Sequence, residues 1–153
     1  MKIQLTPIII LFIIFSGCIS PTQNGQKREI GSINTGDSLS IPRQQVISIN
    51  YTQSKFILES KNYTFKNNSE GDIYVFIASK QLENKIRPKL VITIFSSLEE
   101  TGIEGSYDSE NPIPHSELEE KKEYVKEKII EVAEICDLTV DIDQIEWVIN
   151  YAD

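Results

Sequence analysis

The stretch IYVFIASKQLENKIRPKLVITIF, Ile73 to Phe95, holds two apolar runs joined by a polar connection. Ile73 to Ala78 (IYVFIA) and Leu90 to Phe95 (LVITIF) are apolar at almost every position and rich in branched and aromatic side chains. That is the composition of interior strands, apolar on both faces. Both runs are therefore expected to be central in a sheet. Lys80 to Lys89 (KQLENKIRPK) is expected to bridge them with one helical turn ended by Pro88, which cannot continue a helix.

Working upstream, Asn67 to Asp72 (NNSEGD) supplies turn chemistry. Tyr63 to Phe65 and Phe56 to Leu58 read as a less regular β segment. Before them, Val46, Ser48, Asn50 and Thr52 alternate with Ile47, Ile49 and Tyr51, the two-residue period of a strand with one apolar face. Asn-Tyr-Thr occurs at Asn50 to Thr52 and again at Asn62 to Thr64, which reads as local similarity of two strands, since a repeat array needs several units to bury its faces.

Downstream, Ser116-Glu117-Leu118-Glu119 fits a capping box, in which the serine hydroxyl and the Glu119 carboxylate satisfy free amides at a helix start. Leu118, Val125, Ile129, Val132 and Cys136 follow at spacings of three, four or seven, so they share one helix face. Lys121, Lys122, Glu127, Lys128, Glu131 and Glu134 fall mostly elsewhere and form a solvated face. After Asp137 the chain alternates again, with Ile145, Trp147, Ile149 and Tyr151 on one side of a last strand. The expectation is an α+β fold: a mostly antiparallel sheet of about five strands with one long helix packed on one face. What covers the second face, whether hairpin, loop or partner chain, stays open.

The amino-terminal region follows different rules. Met1 and Lys2 precede Leu5 to Phe15 (LTPIIILFIIF), an apolar run of the 7 to 15 residues or so typical of a secretory signal rather than the roughly 20 that span a bilayer. Phe15-Ser16-Gly17-Cys18 then resembles the lipobox of bacterial and archaeal membrane lipoproteins, with Phe15 where that motif usually has Leu. The resemblance covers only the first eighteen residues. It implies cleavage after a signal peptide over residues 1–17 and a thioether-linked diacylglyceryl group on Cys18, with acyl chains such as palmitate as the lipid anchor. Two acyl chains hold stably where one holds marginally. The competing readings are a plain signal peptide cut nearby and a short uncleaved anchor; all three place the rest of the chain on the extracytoplasmic side.

Residues 18–44, from the lipidated cysteine through a stretch rich in Ser, Thr, Gln, Asn and Gly, show no sustained apolar period and read as a flexible tether. Residues 45–153 then form one small extracytoplasmic domain. With Cys18 committed to lipid, the second of the two cysteines, Cys136, has no intrachain partner and reads as a small buried hydrophobe on the helix.

Several chemistries are set aside. Zinc sites need several Cys and His ligands, and the chain has one histidine, His115. The same histidine is the only candidate base for a Ser-His-Asp arrangement, and it reads as an exposed loop residue before the helix. No nucleophile elbow, phosphate loop or dinucleotide fingerprint occurs, so no cofactor is implied. A net charge of −8 disfavours nucleic acid, and also disfavours an anionic membrane surface as a partner of the domain itself.

Ser96 to His115 (SSLEETGIEGSYDSENPIPH) is expected to be a long acidic loop, with Glu99, Glu100, Glu104, Asp108 and Glu110 as a candidate binding loop and no basic residue. Its acids lack calcium-loop spacing, so no metal is assigned. Asn50, Asn62 and Asn67 begin sequons and are candidate N-glycosylation acceptors in an exported chain. The expected function is a non-enzymatic lipoprotein of the cell membrane, anchored through Cys18, whose domain binds an envelope protein or small ligand. The alternatives are an accessory subunit of an envelope complex and an envelope hydrolase using paired carboxylates.

Overall fold

A computed structural model describes residues 31–143 and 145–150. The expected signal peptide and Cys18 lie outside the described residues, as does Tyr151. Among the described residues no helix is long and apolar enough to cross a membrane.

The fold is α+β, with an antiparallel sheet backed by helices. Its strands are β1 (Gly31–Thr35), β2 (Leu39–Ser40), β3 (Thr64–Asn67), β4 (Tyr74–Gln81), β5 (Lys89–Ser96), β6 (Thr101–Ser109) and β7 (Trp147–Asn150). The order across the sheet is β3-β4-β5-β6-β1-β7, with β2 also pairing β6 just beyond β1. The helices are α1 (Arg43–Ile47), α2 (Tyr51–Ser60) and α3 (Leu118–Ile135).

The expected central strands are β4 and β5, and both are interior. Their burial is one-sided, however. Leu90, Ile92 and Ile94 are fully buried while Val91, Thr93 and Phe95 on the opposite face are only partly so. Cross-strand register places Phe76 and Ala78 of β4, Ile103, Gly105 and Tyr107 of β6 and Ile33 of β1 on the buried side. Against it α3 presents Leu118, Val125, Ile129 and Val132, the residues whose spacing defines its apolar stripe. Burying each such side chain contributes about 1.5–3 kcal/mol. At Gly105 α3 lies close against the sheet: a Cβ there would lie 2.7 Å from Ile129 Cδ1 and 2.9 Å from Val125 Cγ1. Tyr107 and Tyr124 meet edge-on beside that contact.

Five expectations are corrected. Val46 and Ile47 end α1, Tyr51 and Thr52 begin α2 with Ser48 to Asn50 linking the two helices, and Phe56 to Leu58 lie within α2, so none of these is β. The Asn50 side chain accepts the Gln53 amide as an N-cap (3.2 Å), and Val46, Ser54 and Leu58 turn inward while Phe56 points to solvent. Tyr51 packs on Phe65 and Phe76, so α2 lies on the same side of the sheet as α3.

Second, the expected tether over residues 18–44 does not extend to 44, and the domain does not begin at 45. Residues 31–44 belong to the fold: β1 sits between β6 and β7, and Ile33 is fully buried. Polar residues in β1 are held by hydrogen bonds rather than apolar contact. Ser32 Oγ accepts from Asn150 Nδ2 (2.9 Å) and Thr35 Oγ1 accepts the Gly105 amide (3.2 Å).

Third, the expected long loop from Ser96 to His115 contains the nine-residue strand β6. The sheet thus has seven strands rather than about five. Fourth, the capping box does not form. His115–Glu117 makes a 3-10 turn, Glu117 takes the N-cap position without a side-chain bond, and Glu119 and Glu120 instead place negative charge in the first turn. The Lys80 to Lys89 connection likewise holds no helical turn; it is a hairpin closed by Leu82 N–H donating to the Pro88 carbonyl (3.1 Å).

A polar clasp joins α3 to the segment that follows α2. Glu131 on α3 accepts from Lys61 and Lys128 (3.0 Å each) and from the Tyr63 hydroxyl (3.0 Å). Burial pushes the Glu131 carboxyl up, but the three hydrogen bonds outweigh it and hold the group at about 2. Burial and the adjacent carboxylate push the Tyr63 hydroxyl up.

Candidate functional site

Because side chains alternate along a strand, the sheet face away from the helices is built from the other half of each strand. Val75 pairs with Phe95, Ile77 with Thr93 and Ser79 with Val91, making an apolar stripe along β4 and β5. Thr93 in turn neighbours Glu104, Val91 neighbours Ser106, and Lys89 neighbours Asp108 on β6. Ser32 and Asn34 of β1 and Val148 and Asn150 of β7 complete that flank. Lys66 of β3 lies on the opposite flank, across from Ile77.

Among the described residues nothing covers this face. All three helices place their buried side chains in the single core on the other side. The result is an apolar centre, only partly shielded by its own neighbours, with acids on one border. A shallow depression of about 70 Å³ lies on that border, lined by Asn34, Val91, Thr93, Glu104 and Ser106. A polar cleft of about 530 Å³ opens at the corner of the same face, where Thr64, Lys66, Gln81, Glu83 and Lys89 meet.

The five acids expected in one binding loop are not gathered. Glu99 and Glu100 lie in the β5–β6 turn, where Ser97 Oγ accepts both their amides (3.2 and 3.1 Å) and the Ser38 hydroxyl donates to the Glu100 carboxylate. Glu104 and Asp108 stand on the uncovered face, and Glu110 lies past the end of β6. Four residues of strand separate Glu104 from Asp108 by about 13 Å, beyond the roughly 5–10 Å of a glycosidase pair. Burial, reinforced by the Glu100 charge, pushes the Glu104 carboxyl up. No three His, Cys, Asp or Glu residues converge to hold a metal among the described residues.

Asn50, Asn62 and Asn67 are all exposed. Asn50 caps α2, Asn62 adopts a left-handed backbone (φ 64°) after it, and Asn67 Oδ1 accepts the Ser69 amide (2.9 Å) at the end of β3. Cys136 is buried at the end of α3, and burial pushes its thiol up to about 11, the reverse of what a nucleophile requires. His115 opens the 3-10 turn before α3.

Sequence reasoning missed the part that β1 and β7 play in this face, and missed the lysine-flanked corner cleft. One signal was available: in Leu90 to Phe95 the positions occupied by Val91, Thr93 and Phe95 form their own alternating set. Comparison with protein-family models, with curated proteins and with solved structures returned no match.

Proposed function

We propose that this chain is a non-enzymatic lipoprotein of a bacterial or archaeal cell envelope, anchored through Cys18 and facing the extracytoplasmic side, that binds an envelope protein through its uncovered sheet face. The observation that carries the binding part is the stripe of Val75, Ile77, Val91 and Phe95, left without a covering element among the described residues and bordered by Glu104 and Asp108. Apolar centres with polar rims are the usual anatomy of protein contact surfaces. The acidic border selects a partner whose apolar patch is edged with Lys or Arg. The anchor part is supported by the short apolar run and by Ser16-Gly17 before Cys18.

Two measurements test the parts separately. Intact mass and detergent partition of native protein beside Cys18→Ser read the anchor: lipid mass and membrane partition are expected in the first and absent in the second, and an unmodified Cys18 in the wild type refutes it. For the face, a membrane protein co-purifying with wild type is expected to be lost with Val91→Asp at unchanged thermal stability. Glu104→Gln with Asp108→Asn is expected to weaken the association and flatten its salt dependence. Retention of the partner by Val91→Asp, or self-association through this face in sedimentation, would overturn the assignment.

A further inference from the structure

Both tips of the β4–β5–β6 meander expose one large aliphatic side chain. Leu98, 83 % exposed, stands in the β5–β6 turn beside Glu99 and Glu100. Ile86, 81 % exposed, stands in the β4–β5 hairpin between Lys85 and Arg87. From Leu82 to Lys89 the charges are Lys85, Arg87 and Lys89 against Glu83, which pairs with Lys85 at 3.6 Å. The hairpin therefore carries net +2 (three cations less one acid) in a chain of net −8.

The topology decides which tip lies near the anchor. Ser32 pairs with Asp108, Asp108 with Lys89 and Lys89 with Gln81, one lateral row across four strands. Gly31, where the chain arriving from Cys18 joins the sheet, thus lies at the same end as the β4–β5 hairpin, about 10–15 Å away at the usual strand spacing. The β5–β6 tip is at the other end. Twelve residues, 19–30, separate Cys18 from Gly31, and their span is at most about 45 Å in any conformation. To bring the opposite tip to the bilayer, that segment would first have to run the length of an eight-residue strand, about 27 Å. The acids at the near end that begin α3 are already partnered: Glu117 and Glu120 with Lys121 (4.0 and 3.2 Å), Glu119 with Lys122 (2.7 Å).

We propose that the β4–β5 hairpin is a membrane-contacting tip, in which Lys85 and Arg87 meet anionic lipid headgroups and Ile86 enters the interfacial layer, orienting the domain on the bilayer that holds its anchor. This rests on the Cys18 anchor reading. It revises the expectation that the acidic domain keeps off anionic lipid, because the β4–β5 turn is cationic and the far tip acidic, although Asp108, beside Lys89, and Glu110 stand at the same end of the sheet as the hairpin. The uncovered sheet face then stands edge-on to the membrane, open to a partner beside it.

The test uses the full-length protein purified from its membrane and reconstituted into vesicles of phosphatidylcholine with 30 % phosphatidylglycerol by design (about a third anionic, where polybasic contacts operate). Ile86→Cys and, separately, Leu98→Cys carry an environment-sensitive fluorophore, with Cys136 buried. Expected are a blue shift and quenching by headgroup-labelled lipid at position 86, lost in pure phosphatidylcholine, and neither at position 98. In vesicle binding by unacylated Cys18→Ser, Lys85→Gln with Arg87→Gln should lower the partition about 25-fold, at about fivefold per charge. Lipid mass on Cys18 with no signal at position 86, or equal signals at 86 and 98, overturns the inference alone. Absence of lipid mass on Cys18 overturns the anchor reading and the inference with it.

Discussion

Gly105→Ala tests how α3 sits on the sheet. The added methyl would lie 2.7 Å from Ile129 Cδ1, 2.9 Å from Ile129 Cγ1 and 2.9 Å from Val125 Cγ1, where carbon atoms rest at about 3.5–4.0 Å. Relief requires a shift of roughly 0.8 Å, and both helix residues branch at Cβ, which leaves each essentially one rotamer in a helix. Overpacking of this kind costs about 1–3 kcal/mol. Loss of glycine's extra freedom in the unfolded chain offsets about 0.4–1 kcal/mol of that. A net destabilisation of about 1–2 kcal/mol is expected, read by urea unfolding of a soluble form spanning residues 19–153. The specific check is the cycle with Ile129→Val, which removes the nearest atom and alone costs about 0.5–1.5 kcal/mol. The double variant should cost at least about 0.5 kcal/mol less than the sum. Strict additivity, or a Gly105→Ala protein as stable as wild type, would refute direct seating of α3 on that glycine.

Ile33→Ala separates a structural strand from a spacer: loss of a fully buried side chain between β6 and β7 should cost about 2–5 kcal/mol, whereas a change of under about 0.5 kcal/mol is what a linker residue would give. The Glu131 clasp sets an acid window. Its folded carboxyl lies at about 2 against an ordinary 4.5, so its stabilisation is complete above about pH 4.5 and is lost as pH falls toward 2. Glu131→Gln should therefore cost about 1–2 kcal/mol at pH 7, after allowance for screening, and almost nothing at pH 2; a pH-independent difference in unfolding midpoint would show that the charge is not what the clasp uses.

What the sequence made legible was what repeats at one period over many residues. The α3 stripe of Leu118, Val125, Ile129 and Val132 is buried as its spacing predicts, and β4, β5 and β7 lie where their apolar residues are densest. Local preference misled at Val46 to Thr52, where β-branched residues alternate by chance and the deciding signal was a single N-cap asparagine. In β6 the inward positions are Ile103, Gly105 and Tyr107, and the central glycine that makes room for α3 erases the apolar alternation. β1 has one apolar residue, and its place is fixed by Tyr107 and Ile149, far along the chain. The candidate face was hidden for the same reason: Glu104 and Asp108 are visible in sequence, but their role as the border of an apolar stripe depends on pairing with Thr93 and Lys89.

The position of β1 also dictates an order of events. A strand that leads the domain in sequence finds one of its two neighbours only in β7, whose residues 147–150 come at the opposite extreme of the described chain. Until they emerge, β1 is held on one side only and presents its other edge unpaired, a template for strands of other chains. Pairings this distant close slowly, since the intervening chain must be ordered first. Completion of the sheet is therefore a late event in the making of this protein, and a nascent chain stopped before Trp147 would leave the β1 edge available for aggregation.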